Sequence, residues 1–425
     1  MAEEHLKVYL RERHIGNLMP MRSGARFMFL EEIVSTMEGS PLLSTALTVQ
    51  GEAFNRAQTA NWFTGLLPED NRLTEISRFY GIEQSNYYDV LREIGWECAG
   101  AVSVLPEKVA ITATETPDKS LIISKEELAA RLSALPSHPY DDVRTLRVSL
   151  GGFQEKLCVV ATIPVEVSNG YAKMDRVGIP LDGAISTHIL KPQPRRFPGM
   201  IEGEAWAMAA ASLVTPTAKT ALLEIDGAPL TLVVQRFDRI VVDGVFRRIH
   251  QEDCAQAMGL SPHQKYAASG TPRRNDPTFL QITSLLKNYA EDPLEQMEQL
   301  LCQVFVNVVL GNTDAHAKNY AFLHPDENTI ALSPMYDVVP ATEITPQVTE
   351  MGMRINGRIR LDRIEYEQIL NEAVSWGLPQ RHAAAVLKDV ADKLREGVEQ
   401  ASKLYPQAAR HHKDAALDRL RRAMK

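Results

Sequence analysis

Short hydrophobic stretches with strand-like patterns occur in two regions of the chain. The first, from about residue 6 to 112, contains the strand candidates LKVYL, ARFMFL and AGAVSVLPE, with GLLPED and LREIGWECAG expected as helical pieces between them. The second, from about 121 to 242, contains LCVVATIPVEV, STHILK and LTLVVQRF, whose β-branched residues favour strands. Between the two regions, the polar stretch TATETPDKS, 112–120, contains Pro117 and predicts a linker.

Beyond about residue 255 the hydrophobic positions recur three and four apart, which indicates amphipathic helices. The segments 277–312 and 365–377 show this period, and the Ala-rich segment 202–214 predicts a further helix. We therefore expect an α+β chain with a β-rich N-terminal portion and an all-helical C-terminal lobe. The predicted domains are residues 1–112, 121–255 and 256–425.

Composition and charge are those of an ordinary globular protein. Hydrophobic residues make up 44% and charged residues 24% of the 425 residues, and no stretch approaches the ~20 apolar residues that a membrane helix needs. We expect no secretory signal in the acidic start, and four widely separated cysteines predict free thiols in a reducing cytoplasm. The net charge of −8 argues against a surface that coats nucleic acid, and the basic tail 410–425 is interpreted as a solvated helix face.

The stretch GNTDAHAKNY, 311–320, places several polar side chains directly after the apolar run VFVNVVL. Asp314 and Asn319 have the D-x-x-x-x-N spacing of a protein-kinase catalytic loop. In that loop the aspartate accepts the proton of the attacking hydroxyl, and the asparagine oxygen holds Mg²⁺ against the phosphates. YAFL, HPDEN and TIALS then predict a β-hairpin that leads to Asp337, a second candidate oxygen ligand for Mg²⁺.

Other kinase elements are predicted upstream, in the order in which a kinase has them. Gly151 and Gly152 lie in a loop before a strand and allow backbone N–H groups to approach phosphate closely. Lys191 ends the strand STHILK, and Glu204 lies near the start of the Ala-rich helix, where it can form an ion pair with that lysine. The strand 230–238 leads into a hinge whose backbone is predicted to bind adenine. The absence of a G-x-x-x-x-G-K-[ST] motif argues against a P-loop NTPase.

Each of these residues also has an ordinary structural interpretation. Lys191 is compatible with a surface lysine at a strand end, and Glu204 with an acidic residue that stabilises a helix N-terminus. His316 is compatible with a structural histidine. With Asp314 it could also ligate the metal of a hydrolase, although no second His/Asp cluster at ligand spacing completes such a site. The common order of all the elements favours the kinase.

Together these residues resemble the HipA family of toxin kinases from bacterial toxin–antitoxin pairs, over nearly the whole chain. The resemblance rests on the motifs GLLPED, LREIGWECAGAVSVLPE, SLGGFQEK, THILK, QRFDR, QEDCAQAMGL, TDAHAKN and SPMYDVV. It implies a two-lobed, kinase-like fold that uses ATP and Mg²⁺. It also implies a serine/threonine kinase that phosphorylates an aminoacyl-tRNA synthetase, typically the one for glutamate. A small helix-turn-helix antitoxin, HipB, is expected to bind this kinase and the operator DNA.

Carried over by position, the resemblance implies a role for each candidate residue. Asp314 is the catalytic base, Asn319 and Asp337 are the magnesium ligands, and Lys191 binds phosphate. The nucleotide pocket is lined by Gln235 and Phe237 at the hinge, by Gln251, His316 and Tyr336, and by the loop with Gly151 and Gly152. Ser149 matches the serine that relatives autophosphorylate to inactivate themselves.

Two residues depart from the family pattern. Relatives have Glu where Gln235 stands, and often Gly where Ala315 stands; alanine is compatible with the turn only at a negative φ. Neither departure removes a catalytic group. Two other functions stay open at this point: a kinase fold that acts mainly as a co-repressor with its antitoxin, and a small-molecule or lipid kinase on a similar skeleton.

Overall fold

The computed structural model describes residues 4–22, 24–109, 120–135, 149, 154–161, 165–181 and 184–425. The predicted linker 112–120 lies outside these residues apart from Ser120, and the glycine pair of the predicted nucleotide loop lies outside them too. Among the described residues, no helix combines the length and the apolar character that crossing a membrane requires. All four cysteines are free thiols, as the sequence predicted.

The N-terminal module, residues 4–109, is an antiparallel sheet covered by helices. Its elements are β1 Leu6–Leu10, β2 Arg13–Pro20, β3 Ala25–Phe29, α1 Glu31–Met37, α2 Arg56–Gly65, α3 Asp70–Tyr80, α4 Tyr87–Ile94 and β4 Val102–Pro106. The strand order is β3-β2-β1-β4. Phe27 on the sheet packs with Trp62 and Phe63 on α2 in a fully buried core, so the module has an apolar centre of its own.

The motif GLLPED is not helical as predicted but forms the turn between α2 and α3. Helix α2 ends at Gly65, and Leu66 is its C-cap. Pro68 has no backbone N–H and disfavours helical geometry in the residue before it, so the helix stops here. Leu66 and Leu67 are buried, which fixes the turn against the core. Likewise, α4 ends at Ile94, and the rest of LREIGWECAG is not helical.

The middle part of the chain, residues 120–253, contains a six-stranded sheet. Its elements are β5 Ser120–Ile123, α5 Lys125–Ala134, β6 Leu157–Val159, β7 Glu166–Ser168, β8 Tyr171–Lys173, β9 Val177–Pro180, β10 His188–Pro192, α6 Met200–Ala211, β11 Thr220–Leu223, β12 Thr231–Gln235, β13 Arg239–Val242, β14 Val245–Arg248 and β15 His250–Asp253. The strand order is β6-β10-β12-β11-β8-β7. The segment LCVVATIPVEV therefore contributes to two strands at opposite edges of the sheet, β6 and β7, and not to one.

From Cys254 onward the chain is mostly helical, but the prediction of an all-helical C-terminal lobe is wrong in detail. The elements are α7 Cys254–Ala257, α8 Phe279–Tyr289, α9 Pro293–Leu310, β16 Ala321–His324, β17 Ala331–Leu332, α10 Ala341–Ile344, β18 Glu350–Ile355, β19 Arg358–Arg360, α11 Tyr366–Ser375, α12 Gln380–Leu404 and α13 Pro406–Arg422. Strands β16 and β17 form the predicted hairpin, which extends β15 into a three-stranded sheet. The hairpin β18–β19 was not predicted.

Helix α9 ends immediately before the polar stretch that the sequence singles out. Asp292 caps its N-terminus by accepting a hydrogen bond from the N–H of Glu295, and Pro293 occupies its first position. At the other end Gly311 adopts a φ of 73°. A Cβ there would lie 2.4 Å from Oγ1 of Thr342, so glycine alone fits this position. The chain thus turns out of the hydrophobic core at Gly311, and the polar residues follow directly after this turn.

The basic tail forms helix α13, but only part of it is the predicted solvated face. Arg419 is buried, forms a salt bridge of 2.7 Å with Glu343 and donates to the carbonyl of Val309 at 2.8 Å. Its guanidinium therefore satisfies a backbone acceptor at the C-terminal end of α9. The tail holds the base of the polar stretch in place instead of merely covering the protein.

Candidate active site

One buried lysine joins two carboxylates from distant parts of the chain. Nζ of Lys191, on β10, lies 2.7 Å from Oε1 of Glu204 and 2.5 Å from Oδ1 of Asp337. Glu204 is on α6, so the predicted ion pair between strand and helix is confirmed. Burial would lower the pKa of Lys191, but the two carboxylates raise it above its ordinary value. The lysine is therefore a fixed cation at neutral pH.

The two acids in this group differ in their environment. Burial opposes ionisation of Asp337, yet Lys191 lowers the pKa of its carboxyl to about 2. Burial raises the pKa of Glu204 to about 7, against the opposing effect of the same lysine. Asp337 is thus an anion throughout the physiological range, as a cation ligand must be.

Asp337 has an unusual backbone conformation. Its φ is 58°, in the left-handed region that non-glycine residues rarely adopt and that concentrates at functional sites. The preceding residues are fixed to the stretch before β11. The N–H of Met335 donates to the carbonyl of Pro216, and the N–H of Ala218 donates to the carbonyl of Met335, both at 2.8 Å. These hydrogen bonds fix the backbone that precedes Asp337 and so position its carboxylate next to Lys191.

Asp314 and Asn319 lie on one loop, as their spacing predicted. The side-chain Nδ2 of Asn319 donates to the carbonyl of Asp314 at 2.9 Å, which closes the loop on itself. Oδ1 of Asp314 accepts a 2.6 Å hydrogen bond from the hydroxyl of Tyr266. Burial raises the pKa of Asp314, the bond from Tyr266 lowers it, and the charge of Asp337 raises it again. Nδ2 of Asn312, at the start of the loop, donates to the carbonyl of Asp337 at 3.5 Å, so the loop lies beside the Lys191 group.

The back of this loop rests on strand β18 at Gly352. A Cβ on Gly352 would lie 2.6 Å from the amide nitrogen of His316 and 2.7 Å from the carbonyl carbon of Ala315, so no larger residue fits. Ala315 itself does not have a positive φ. Alanine in place of the family's glycine is therefore compatible with the turn, as expected for a negative φ.

Three aromatic residues of the predicted nucleotide pocket lie near this loop. The rings of Phe237 and Tyr336 are 5.4 Å apart, and the Tyr336 hydroxyl donates to the carbonyl of Lys318 at 2.7 Å. The buried ring of His316 packs edge-on against Tyr266 at 4.7 Å. Burial and the nearby Lys265 lower the pKa of His316 to about 3, so its imidazole is neutral.

The remaining predicted residues are less closely tied to the site. Gln235 ends β12, where its N–H donates to the carbonyl of Lys219. Gln251 lies on β15 opposite Leu323, and its buried Oε1 has no hydrogen-bond partner in the described part of the chain. Gly151 and Gly152 lie outside the described residues.

Ser149 is fully buried. Its hydroxyl donates to the carbonyl of Leu66, and its N–H donates to the carbonyl of Glu97, both at 2.7 Å. Both partners belong to the N-terminal module, so the start of the predicted nucleotide loop is attached to that module.

Two further residues belong to the site but were not singled out from the sequence. Tyr266 holds Asp314, and it lies 48 positions away in a segment with no recognisable motif. Lys156 is buried; burial and the charges of Arg72 and Lys191 lower its pKa to about 8, and Asp337 opposes this shift. Its place in SLGGFQEK, four positions after Gly152, was the available signal for this lysine.

The hydrolase interpretation finds no further support in the structure. Over the described residues, no group of three or more His, Cys, Asp or Glu side chains could hold a metal ion by themselves. The hydrogen-bond partner of Asp314 is Tyr266, and His316 packs on that same ring.

Protein kinases orient their phosphate-binding lysine by an ion pair with a helix glutamate and place a metal-binding aspartate beside it. Lys191, Glu204 and Asp337 reproduce this arrangement, and the loop with Asp314 lies next to it. A protein kinase is the class that the fold and the site define.

Comparison with known proteins identifies the family. The model of the HipA N-terminal domain matches residues 6–105, and that of the HipA-like C-terminal domain matches 148–398. The chain belongs to the HipA family of serine/threonine kinase toxins. It is 32% identical over 430 residues to the putative kinase Y4mE of Sinorhizobium fredii, covering 99% of this chain and 98% of that protein.

Two further matches come from Shewanella oneidensis. The chain is 24% identical over 374 residues to its serine/threonine-protein kinase toxin HipA, covering 86% of this chain and 82% of the toxin. A solved complex of HipA with HipB and operator DNA from that organism has a TM-score of 0.79 at 23% identity, covering 98% of this chain and 97% of that one. This likeness shows that the kinase-like mixed helix and sheet fold is shared.

Proposed function

We propose that this protein is the toxin of a bacterial toxin–antitoxin pair and transfers the γ-phosphoryl group of ATP to a serine of a protein target. The observation that carries the proposal is the bridge from Lys191 to both Glu204 and Asp337. Kinases require this arrangement because catalysis of phosphoryl transfer is mostly positioning and neutralisation of charge.

Asn319 and Asp337 are the proposed ligands of Mg²⁺. Asp337 is ionised, with a pKa of about 2. Asn319 uses its Nδ2 for the carbonyl of Asp314, which leaves its Oδ1 to face a cation. Carboxylate and amide oxygens suit a hard cation, so these residues fit Mg²⁺. When bound, the ion neutralises negative charge on the phosphates.

The pocket residues fit the rest of ATP. The rings of Phe237 and Tyr336 pack side by side, and Gln235 ends β12 and Phe237 follows it at the proposed adenine hinge. Oε1 of Gln251 and Nδ1 of His316 are buried atoms without a partner among the described residues, and buried polar atoms normally have one. A nucleotide supplies such partners. Gly151 and Gly152 are proposed to face the phosphates.

In the proposed chemical step, the serine oxygen of the target attacks the γ-phosphorus. The bond from that phosphorus to the β–γ bridging oxygen breaks, and ADP leaves. Asp314 accepts the serine proton as the new P–O bond forms. Tyr266 holds Oδ1 of Asp314 from one side, so the carboxylate presents its other oxygen to the serine. Lys191 and Lys156 offset the charge on the phosphates.

The proposed target is an aminoacyl-tRNA synthetase, such as the glutamyl enzyme, in the cytoplasm. Its phosphorylation would stop translation and growth. The proposed partner is a HipB-like helix-turn-helix antitoxin. We expect the toxin to associate with DNA only indirectly, through this antitoxin. Supporting this partner, the HipA of similar fold from Shewanella oneidensis was solved with HipB and operator DNA.

Ser149 is the proposed site of autophosphorylation. Its hydroxyl is buried against the carbonyl of Leu66, so the serine must leave this position to be phosphorylated. A phosphate of about −1.5 to −2 charge could not return to a site that faces a carbonyl oxygen. Modification would therefore hold the loop out of the nucleotide site and inactivate the kinase.

The experiment that tests the kinase proposal compares wild type with Asp314→Asn. Each protein is incubated with Mg²⁺, γ-labelled ATP and a bacterial lysate, and labelled proteins are identified by mass spectrometry. Loss of the base should lower the rate by about 10²–10⁴-fold. Asp392→Asn, an exposed aspartate on α12, is the matched control and should retain the wild-type rate.

Two results would contradict the assignment. One is transfer by a folded Asp314→Asn protein at the rate of the control. The other is absence of ATP turnover in a wild-type protein that still binds its antitoxin, which would favour the co-repressor function.

A further inference from the structure

A short stretch of the N-terminal module contacts both loops of the kinase site. This stretch, residues 65–69, is the turn between α2 and α3 and is called here the 65–69 turn. The carbonyl of Leu66 accepts from the hydroxyl of Ser149, before the glycine pair. The carbonyl of Gly65 accepts from Nζ of Lys318, on the catalytic loop, at 3.2 Å. Adjacent peptide groups thus hold the two loops that must meet at the phosphates.

Glu69 makes the strongest of these contacts. Its carboxylate lies 2.5 Å from Nζ of Lys265 and 3.0 Å from Nζ of Lys318. The side chains of Glu69, Lys265 and Lys318 are only 16%, 14% and 7% exposed, so water screens these pairs little. Burial opposes ionisation of Glu69, but the two lysines hold its pKa at about 2.

The two lysines lead directly to the proposed catalytic base. Lys318 precedes Asn319, which closes the catalytic loop onto the carbonyl of Asp314. Lys265 precedes Tyr266, which donates to the carboxylate of Asp314, and the carbonyl of Lys265 accepts from the N–H of Ala317 in the loop. One carboxylate therefore fixes both segments between which Asp314 is held.

We propose that Glu69 is a positioning residue for phosphoryl transfer, acting through Lys318 and Lys265. On this view, the N-terminal module completes the kinase site within the same chain by fixing the catalytic loop. The inference rests on the proposed kinase function and adds to it a role for a residue outside the kinase part of the chain.

Replacing Glu69 by Gln keeps its shape and removes its charge. Among the described residues, Lys318 would retain the carbonyl of Gly65 and the carboxylate of Asp253, which lies 3.8 Å away. A buried cation with too few partners moves toward water, and this would shift the catalytic loop. A displacement of about 1 Å at the reacting groups can cost about 10²-fold in rate.

The first test is kinetic and uses the full-length protein. Glu69→Gln should lower kcat by about 10–100-fold, because the proposed base moves, and should raise KM for ATP by a much smaller factor, because Lys191 and the hinge residues lie outside the displaced loop. Glu69→Asp, which keeps the charge, should recover part of the rate.

Two comparisons make this test specific. Glu83→Gln, an exposed glutamate in the same module, should retain wild-type kinetics. Combining Glu69→Gln with Lys318→Met should reduce kcat no more than the worse single change, since both break the same link. Additive losses, a rise in KM alone, or Glu69→Gln kinetics equal to the Glu83→Gln control would overturn the proposal.

The second test does not depend on activity. Hydrogen–deuterium exchange of the segment 312–319 should be faster in Glu69→Gln than in the Glu83→Gln control, because the loop opens more often. Unchanged exchange would overturn the inference even in an active enzyme. If the wild type transferred no phosphate, the kinase proposal would fail, and the exchange result alone would decide whether Glu69 holds the loop.

Discussion

The carboxylate of Asp337 is delivered by a backbone conformation that few residues other than glycine adopt. A left-handed aspartate costs about 1–3 kcal/mol and persists only where its surroundings fix it. Here the bonds around Met335 and the ion pair with Lys191 do so. Asp337 thus supplies an ionised carboxylate and holds that carboxylate in a defined orientation.

Asp337→Asn should weaken Mg²⁺-dependent ATP binding by at least about 10-fold. The amide keeps the size of the side chain but removes the charge that attracts a hard cation. Calorimetric titration with ATP, with and without Mg²⁺, measures the effect, and Asp392→Asn is the control. A variant whose ATP affinity gained as much from Mg²⁺ as the wild type would show that Asp337 is not a ligand.

At the residue scale, the sequence was informative where function depends on local spacing. Asp314 and Asn319 share one loop, and the hairpin to Asp337 was recognisable from its turn residues. Tyr266 and Glu69 were not predicted, because they reach the loop from positions 48 and more than 200 residues away. Their contacts with the loop arise from tertiary packing, which the pattern of hydrophobic positions in the sequence does not predict.

At the element scale, helices were predicted more reliably than strands. The Ala-rich helix around Glu204 and the helix before Gly311 carry long, unambiguous patterns. Short apolar runs are ambiguous, as the division of LCVVATIPVEV into β6 and β7 shows. The contacts of Ser149 could not be predicted from its own segment, because its hydrogen-bond partners lie in the N-terminal module.

The loop that begins at Ser149 is predicted to be a self-inactivating element. Ser149→Ala should bind ATP like wild type, lack the loop phosphopeptide and stay active during long incubation with ATP. The reason is that alanine lacks the hydroxyl that would receive the phosphoryl group. The change also removes the hydrogen bond to the carbonyl of Leu66 but adds no charge. Time courses of activity with mass spectrometry measure this, with the exposed Ser35→Ala as control. Wild type that loses activity without phosphate on Ser149 would contradict it.

At the scale of the whole molecule, a buried charge network joins the N-terminal module to the six-stranded sheet. Glu97 is fully buried and contacts Arg236 at 3.2 Å and Arg239 at 3.1 Å. Its Oε1 also accepts from the N–H of Ser186 at 2.8 Å. Asp238 lies in the same network, 2.7 Å from Arg236. The two parts of the chain therefore share one set of fully buried ions.

Glu97→Ala should lower the free energy of unfolding by about 3–5 kcal/mol, because it leaves buried guanidinium groups with too few partners. The midpoint of urea unfolding measures this, against Glu83→Ala as the exposed control. A loss below about 1 kcal/mol would mean that water or other groups replace the carboxylate. Although burial alone raises the pKa of Glu97, the arginines lower it. The stabilisation by Glu97 is therefore fully present above the ordinary glutamate pKa of 4.5 and is lost as the pH falls through the lower pKa of the folded state.

Gly352 carries no functional group, yet it determines how close β18 can come to the catalytic loop. In genetic terms, position 352 and position 314 should be equally intolerant of change, one for lack of room and the other for lost chemistry. A catalogue of inactivating mutations would not separate the two kinds of site. Only the structure distinguishes the position whose side chain is proposed to take part in the reaction from the position that must stay small to leave room for the loop.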